Sequence, residues 1–408
     1  MKKKVAMFPG QGSIYVGMGK KLCENHELAR RTFEEASDAI SVDMKKLCFT
    51  ADLKELTKTE NSQPAILTAS VAAYRVLQET TGFRPHYFAG HSLGEFSALT
   101  CAKAIDFADA VTLVKKRGEL MRDASGDSQG LMTAVGKVPK QKIIDICSEI
   151  SASDSVVCVS NYNSLKQNVI SGHKDAVIAA EKRLADLGAS VKRLNVSAAF
   201  HSPLMQPALE QFKIVLNEYS FRQPEGIVLS NVTARPHTAD QIAERMAQQL
   251  VSPVRWQESM EYLKEQKIRL AVDVGPGKVL RNLMFDNFPN VKALTYDASD
   301  DANELIKLLE NEKTIPFISR CMGLAVATKN LCNDAQVYEA NVVEPYRQLQ
   351  LMQETVDAEN RGASEDEMRR AKQLLLQIFN AKKVPANEQE ERLQRLYLDT
   401  ETESLFNA

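Results

Sequence analysis

The segment YFAGHSLGE, at Tyr87–Glu95, decides how this chain folds. It contains the pattern G-x-S-x-G after an apolar run typical of a buried strand and before a helical pattern that begins at Leu93. Gly90 and Gly94 allow a sharp turn that projects Ser92 from the end of the strand. The amino terminus of the following helix favours developing negative charge. The sequence therefore predicts a strand–turn–helix in which Ser92 is a nucleophile and the N–H of Leu93 an oxyanion donor.

A serine nucleophile needs a base, and the chain has six histidines. His201 follows a strand-like segment and the small, tight stretch Ser197–Phe200, and it precedes Pro203 and a helix. Loops at the carboxyl ends of strands are where α/β proteins build their sites, so His201 is predicted to be the general base. The turn at Ser92 is expected to point His91 elsewhere. Surface positions are predicted for the remaining four, His26, His86, His173 and His237.

The group that orients His201 stays open at this point. A hydrolase triad runs Ser…Asp/Glu…His, and Asp154 and Asp175 lie in the right interval. Neither acid lies in a distinctive motif, and a backbone carbonyl could orient the imidazole instead.

Three further segments carry polar groups of interest. Pro9–Ser13 follows the first predicted strand and has glycines that permit close backbone approach, but it is neither a dinucleotide nor a phosphate loop. Asn61–Ala65 is predicted to be a helix cap followed by a first-turn proline. Arg117 lies on a helical stripe with Leu113 and Leu120. It either extends to solvent or points into a dry pocket, where it would grip a carboxylate.

Composition excludes several classes of protein. At about 100–200 residues per domain, 408 residues indicate two or three domains. The 51 basic and 53 acidic side chains leave a net charge of −2, which argues against nucleic-acid binding. No apolar stretch approaches the roughly 18 residues of a membrane span, so no membrane association is expected. Seven cysteines without ligand spacing indicate reduced thiols, a cytoplasmic location and no metal site.

Alternating apolar runs and amphipathic segments predict an α/β protein. Residues 1–129 and 198–314 are predicted to form a large subdomain, residues 130–197 an inserted ferredoxin-like β-α-β-β-α-β subdomain, and residues 315–408 a C-terminal helical extension. The large subdomain is predicted to have buried strands at Val5–Phe8, Tyr87–Gly90, Ile227–Val232 and Leu270–Val274. The small one is predicted to have strands at Leu131–Gly136, Val156–Asn161, Asn168–Ser171 and Val191–Val196. Helical spacing in the extension covers Tyr338–Met352, Glu365–Ala381 and Glu388–Leu398.

Together these segments resemble the malonyl-CoA:acyl carrier protein transacylase family, which includes the fatty-acid enzyme and the acyltransferases of polyketide synthases. Eight motifs in collinear order, over about residues 4–312, carry the resemblance. They are FPGQGS (Phe8–Ser13), NSQPAI (Asn61–Ile66), AGHSLGE (Ala89–Glu95), KKRGELM (Lys115–Met121), SNYNSLKQNVISG (Ser160–Gly172), AAFHSPLM (Ala198–Met205), QLVSPVRW (Gln249–Trp256) and DVGPGKVL (Asp273–Leu280). Stand-alone members of this family usually end near residue 310, so the extension is not explained by the resemblance.

The resemblance implies an α/β-hydrolase-like large subdomain with a ferredoxin-like small one. It makes Ser92 the acylated nucleophile, His201 its base, and the backbone N–H groups of Gln11 and Leu93 the oxyanion hole. It also implies that Arg117 pairs with the malonyl carboxylate.

Three further roles follow from the resemblance. The backbone carbonyl of Gln249 would orient the histidine, so that no acid is required. Gln63 would line the site. Asn161 and Asn163 would lie in a loop near it.

Substrate choice follows from the residue before the histidine. In polyketide acyltransferases a Phe there accompanies malonyl selection, because the ring leaves little space for an α-methyl group. Phe200 places this chain with the malonyl group. The chain departs from the pattern at Ala198, where His is usual, and at Ile14, where Gln often follows the GQGS motif.

The expected reaction is a ping-pong transfer of malonyl from malonyl-CoA to the phosphopantetheine thiol of an acyl carrier protein, through malonyl-O-Ser92. Because of the extension and the AAFH pattern, the expected partner is a carrier protein or carrier domain of a polyketide synthase, served in trans. No cofactor is expected, since the CoA thioester is the substrate. The alternatives are an editing hydrolase of carrier-bound thioesters and a degenerate scaffold. A monomer is compatible with the sequence, which does not fix the oligomeric state.

Overall fold

The computed structural model describes residues 3–125, 130–196, 198–313, 316–359, 361–400 and 402–406. The chain divides into two compact units, Lys2–Leu305 and Ile306–Ala408, and the division falls inside the helix Ser299–Lys313. Residues 129, 197 and 314–315, where the predicted subdomains end, lie outside the described part of the chain, and these boundaries stay predictions.

The first unit contains a large α/β subdomain interrupted by a small one. Before the insertion its elements are β1 (Lys4–Phe8), α1 (Lys20–Asn25), α2 (Glu27–Ile40), α3 (Met44–Phe49), α4 (Leu53–Leu56), α5 (Thr59–Thr81), β2 (Tyr87–Gly90), α6 (Gly94–Cys101) and α7 (Phe107–Ser125). The small subdomain consists of β3 (Gly130–Gly136), α8 (Lys140–Ile150), β4 (Val157–Ser164), β5 (Gln167–His173), α9 (Lys174–Asp186) and β6 (Ser190–Arg193). The large subdomain continues with α10 (Gln206–Leu216), β7 (Ile227–Leu229), α11 (Ile242–Gln248), α12 (Trp256–Glu265), β8 (Leu270–Asp273), α13 (Val279–Asn287), β9 (Lys292–Thr295) and α14 (Ser299–Lys313).

The large sheet is parallel and has the strand order β7-β2-β1-β8-β9. Every residue of the central strand β1 is buried, as expected for an apolar strand with neighbours on both sides. Phe8 pairs with Gly90 in the register of β1 and β2, so these strands end side by side. The segments that follow them, one carrying Gln11 and the other Ser92, therefore start from neighbouring points of one sheet edge.

The small sheet has the order β4-β5-β3-β6, with antiparallel pairing throughout. This is the predicted ferredoxin-like arrangement, and with the parallel sheet and the helical extension it confirms the predicted fold class. Strand β6 is shorter than predicted, and all four of its residues are exposed at the edge of the sheet. Strand β9 was not predicted, because it is short and its first residue, Lys292, is exposed.

The second unit is a set of helices with its own core. After the end of α14 it contains α15 (Phe317–Ala327), α16 (Ala335–Tyr338), a π-helical turn (Glu339–Val343), α17 (Glu344–Ala358), α18 (Glu365–Ala381), α19 (Ala386–Thr400) and α20 (Glu403–Phe406). Phe317, Leu349, Leu374 and Phe379 are buried in that core. The buried ammonium of Lys382 donates to the carbonyls at the end of α15, where the helix dipole favours a cation.

Two global features bear on the sequence predictions. All seven cysteines are free thiols. Within the described residues, none of the helices is both long and apolar enough to cross a bilayer.

Asp273, at the end of β8, connects the large sheet to α13. Its Oδ2 accepts the backbone N–H groups of Leu280 and Arg281 at 2.9 and 3.0 Å, and so caps the start of that helix. The side chain is fully buried, and Oδ1 has no partner among the described residues. Burial raises the pKa of Asp273 to about 8, against the opposing effect of the two N–H donors.

Asp273→Asn is therefore predicted to change how stability depends on pH. Between about pH 4 and pH 8 the folded carboxyl keeps a proton that the unfolded chain has released, so wild-type stability falls as pH rises, by up to about 1.4 kcal/mol per unit. The variant has no carboxyl to titrate at this position, so its stability relative to the wild type should rise as pH increases. Urea unfolding at several pH values, followed by the fluorescence of the only tryptophan, Trp256, measures the difference. Parallel curves would contradict the raised pKa.

Candidate active site

The turn after β2 is built on close backbone approach. Ser92 has a φ of 53°, the left-handed conformation that projects a side chain from a tight strand-to-helix bend. A Cβ on Gly94 would lie 1.9 Å from the carbonyl oxygen of Phe8, and one on Gly90 would lie 2.0 Å from the backbone of Gly94. Both positions therefore require glycine, and the predicted strand–turn–helix is present.

Asn231 holds this turn through two hydrogen bonds to its backbone. Its Oδ1 accepts the N–H of Ser92 at 2.7 Å, and its Nδ2 donates to the carbonyl of Gly90 at 2.6 Å. Sequence analysis missed Asn231. The available signal was its position just after β7, the neighbour of β2 in the sheet.

Ser92 and His201 lie in direct contact. The Oγ of Ser92 is 2.7 Å from Nε2 of His201, and Nδ1 of His201 is 2.8 Å from the backbone carbonyl of Gln249. In the described part of the chain, Nδ1 thus bonds to a carbonyl rather than to Asp154 or Asp175. Since a carbonyl only accepts, Nδ1 carries the proton and Nε2 is left to accept one from the serine.

The surroundings of His201 keep its imidazole neutral. Burial lowers the pKa of His201 to about 3, and the nearby positive charge of Arg117 acts in the same direction. The hydrogen bond to the carbonyl of Gln249 opposes both effects. A neutral imidazole beside a hydroxyl is a base ready to take its proton.

The backbone N–H groups of Gln11 and Leu93 lie in the two loops that begin at the neighbouring ends of β1 and β2. A Cβ on Gly10 would lie 2.7 Å from the carbonyl of His91, so the two loops touch. Neither N–H donates a hydrogen bond to a described residue. Two free donors in adjoining loops, one of them at the amino terminus of α6, suit a developing oxyanion.

The side chain of Gln11 bonds to helix α5. Its Nε2 donates to Thr59 Oγ1 at 3.1 Å and to Ser62 Oγ at 2.7 Å. Thr59 Oγ1 also accepts from Nε2 of Gln63, at 2.9 Å. This hydroxyl therefore joins two of the predicted site residues.

Arg117 is buried, as the second of the two positions considered for it requires. Its side chain is 1% exposed, so it does not extend to solvent. Nη1 donates to Oε1 of Gln63 at 2.7 Å, and Nη2 donates to Oε1 of Gln249 at 2.8 Å. Nε has no partner in the described residues, and the guanidinium lies over the ring of Phe96. Burial lowers the pKa of Arg117, and the charge of Glu95 opposes that shift.

This guanidinium can bind an incoming carboxylate. Arginine has five N–H donors, and two side-chain oxygens occupy only part of that capacity. The remaining donors match the two oxygens of a carboxylate, and burial strengthens such a pair.

The segment that carries Gln63 differs from its prediction. Helix α5 begins at Thr59, with Lys58 before it and no side-chain cap, so Asn61 is not a cap and Pro64 lies inside the helix. The prediction failed because the preceding residues complete the first turn. Gln63 is fully buried and reaches Arg117.

Phe200 and the two asparagines complete the predicted set. Phe200 is 5% exposed and immediately precedes His201. Asn161 and Asn163 lie in strand β4 rather than in a loop. Oδ1 of Asn163 is 2.8 Å from Nε2 of His91, which fits the expectation that His91 points away from Ser92. Asn161 accepts from Ser160, and among the described residues its side chain has no hydrogen bond to the other predicted site residues.

The predicted surface position of His237 is wrong. The residue is 3% exposed, and its Nε2 lies 2.6 Å from Oε1 of Glu95. The chain turns back after β7, and the N–H of His237 bonds to the carbonyl of Val228, which returns the ring to the sheet. This reversal depends on distant pairing and left no mark in the local sequence.

Comparison with known proteins gives one family. The model of the acyl transferase domain matches residues 5–360. A malonyl CoA-acyl carrier protein transacylase of Bacillus subtilis is 41% identical over 389 residues, which cover 94% of this chain and 97% of that protein. The enzyme of the same name from Escherichia coli K12 is 42% identical over 279 residues, which cover 68% of this chain and 90% of that protein. Both the domain model and the B. subtilis match run into the helical extension.

Solved structures give the same family. The malonyl CoA-acyl carrier protein transacylase of Coxiella burnetii is 37% identical with a TM-score of 0.73, covering 76% of this chain and 98% of that one. A malonyl-transacylase in complex with its type II PKS acyl-carrier protein is 38% identical with a TM-score of 0.72, covering 76% of this chain and 99% of that one.

The lowered pKa of His201 predicts how Ser92 reactivity depends on pH. Protonation of the imidazole removes the base, and an ordinary histidine would be protonated below about pH 6.5. The rate at which a fluorophosphonate phosphonylates Ser92 should therefore stay constant from pH 8 down to about pH 5. The rate should fall only at a lower pH. In Arg117→Ala the rate should begin to fall at a higher pH, because the positive charge that helps to lower the pKa of His201 is gone. Ser92→Ala is the labelling control, and a wild-type midpoint near pH 6.5 would contradict the prediction.

Proposed function

Because the chain belongs to the acyl transferase domain family, we propose that it is an acyl-carrier-protein S-malonyltransferase that works through malonyl-O-Ser92. The observation that carries this proposal is the buried guanidinium of Arg117. It shares Gln249 with the Ser92–His201 pair, because the side chain of Gln249 meets Arg117 and its carbonyl meets His201. The site thus combines an acyl-transfer pair with a carboxylate receptor.

The first half-reaction acylates the enzyme. The malonyl carboxylate binds Arg117, which brings the thioester carbonyl to Ser92. His201 Nε2 takes the proton of Oγ as the oxygen attacks, and the N–H groups of Gln11 and Leu93 hold the tetrahedral oxyanion. Collapse breaks the carbon–sulfur bond, and His201 gives its proton to the sulfur of the departing CoA.

The second half-reaction runs the same steps with another thiol. His201 removes the proton from the phosphopantetheine thiol of the acyl carrier protein, and the thiolate attacks the ester at Ser92. The oxyanion again rests on the two backbone donors. Collapse returns the proton to the serine oxygen and releases malonyl-carrier protein, so no cofactor is required.

Phe200 supports malonyl as the group transferred. Its buried ring precedes the base, where a substituent on the α-carbon of the acyl group would need space. Editing hydrolysis, the alternative weighed from the sequence, has no use for the carboxylate receptor at Arg117. The names of the relatives favour transfer as well.

We also propose that the carrier belongs to a polyketide synthase, served in trans. The AAFH pattern at Ala198–His201 and the relative solved with a type II PKS carrier support this choice. Transfer to polyketide and fatty-acid carrier proteins, measured side by side, tests it. A clear preference for the fatty-acid carrier would overturn it.

Intact mass spectrometry tests the proposed reaction. Malonyl-CoA should add one malonyl group to the protein and none to Ser92→Ala. A phosphopantetheinylated carrier should then remove the adduct and gain the same mass. Release of free malonate in place of transfer would indicate hydrolysis.

Arg117→Ala is predicted to reverse the preference for malonyl. Loss of the charged hydrogen bonds should lower kcat/KM for acylation by malonyl-CoA by roughly 100-fold or more, and leave acetyl-CoA acylation unchanged or faster. Arg122→Ala, on the same helix but half exposed and paired with Glu60, is the matched control and should change neither rate. An equal fall for both thioesters would remove Arg117 from the role of carboxylate receptor.

A further inference from the structure

Glu95 is a buried carboxylate that the mechanism above does not use. It is fully buried, one helical turn after Ser92. Its Oε2 accepts from Nε2 of Gln249 at 2.6 Å and from the backbone N–H of Asn231 at 3.2 Å, and its Oε1 lies 2.6 Å from Nε2 of His237. Burying a carboxylate without partners costs free energy, and the three hydrogen-bond partners of Glu95 offset that cost.

The carboxylate fixes which way the amide of Gln249 faces. An ionised carboxylate only accepts hydrogen bonds, so the NH₂ group of Gln249 must face Glu95. That NH₂ also donates to the carbonyl of Ser92, at 3.0 Å. The amide oxygen is then forced toward Arg117, whose Nη2 it meets at 2.8 Å.

The opposite orientation of the amide would harm the site. It would put the NH₂ of Gln249 against the guanidinium of Arg117, so that donors would face donors, and it would leave the carbonyl of Ser92 without this donor. The position of the guanidinium thus depends on a charge it does not touch. The backbone of the same glutamine holds His201, so disorder there would reach the base.

His237 completes the arrangement on the far side of Glu95. Because the carboxylate accepts, Nε2 of His237 carries a proton toward it. Nδ1 is buried and has no partner among the described residues, which is less costly for a bare lone pair than for an N–H. The neutral Nε2–H tautomer therefore fits, and it leaves the negative charge of Glu95 in place.

We infer that Glu95, supported by His237, is a positioning residue that sets the selectivity for carboxylated acyl groups by orienting Gln249 and, through it, Arg117. The inference rests on the proposed function and specifies how its carboxylate receptor is kept in position. In the described part of the chain, the side-chain hydrogen bonds of Glu95 go to Gln249, Asn231 and His237 and not to Ser92 Oγ, His201 or Arg117, so its role is indirect.

The test is Glu95→Gln, compared with the wild type in acylation by malonyl-CoA and acetyl-CoA. A glutamine keeps the shape but removes the charge and one of the two acceptor oxygens. Its NH₂ group must then face a donor, or force His237 into the tautomer that buries an unpaired Nδ1–H, so the amide of Gln249 is held less firmly. The ratio of malonyl to acetyl kcat/KM should fall by roughly 10- to 100-fold, the range set by one charged hydrogen bond. Glu95→Asp keeps the charge and should retain a ratio closer to that of the wild type. Asp273→Asn, the corresponding exchange at a buried carboxyl whose hydrogen bonds go to α13 and not to this network, should leave the ratio unchanged.

A second variant covers the case in which Glu95→Gln does not fold. Gln249→Met keeps the backbone carbonyl that holds His201 and removes the amide, so it should lower the ratio to a similar extent. In an Arg117→Ala background neither substitution should change the ratio further, because the residue through which they act is absent.

Each outcome has a distinct meaning. A wild type that forms no malonyl adduct on Ser92 would overturn the proposed function itself. A wild type that works, with a Glu95→Gln variant that keeps the wild-type ratio or loses both activities in equal proportion, would overturn the positioning role alone.

Discussion

The contact between Gly94 and the carbonyl oxygen of Phe8 is the constraint on which the site depends. Two neighbouring parallel strands end together, and the turn after one of them packs directly on the backbone of the other. No side chain fits between them. That closeness accompanies the left-handed backbone of Ser92 and brings the two loops that carry Gln11 and Leu93 into contact. The position of Ser92 is therefore set by backbone packing and not by a charged group.

The buried positive charge of Arg117 is the second determinant of the site, and its partners offset only part of the cost of burying it. A guanidinium taken out of water costs several kcal/mol unless it is well paired. Arg117 donates to two glutamine oxygens and lies over an aromatic ring, and the negative charge of Glu95 stabilises its positive charge without direct contact. These partners offset part of the cost and leave donors unused. A site in this state gains more from a carboxylate ligand than one whose arginine is already saturated.

Local sequence patterns identified Ser92 and the fold, because the glycines, the strand and the helix of the turn lie within nine residues. His201 was found by elimination, since a loop after a strand was expected to face the same edge. Arg117 stayed undecided between solvent and pocket until the structure buried it. Asn231, Glu95 and His237 were missed, because their roles arise from contacts between segments about 140 residues apart. The start of α5 was misplaced, since a polar cluster with a proline resembles a cap even when it lies inside a helix.

Strand β6 has a consequence for how molecules of this protein meet one another. An open sheet edge offers unpaired backbone groups to any other edge, and this is a common route to aggregation. Here the edge carries Lys192 and Arg193, and all four of its residues face solvent. Two copies aligned edge to edge would bring the Lys192 side chains of both copies to the shared edge, whereas each Arg193 is already paired with Glu181 of its own chain. Repulsion between lysines at this edge, together with its short length, disfavours pairing of two small subdomains through β6.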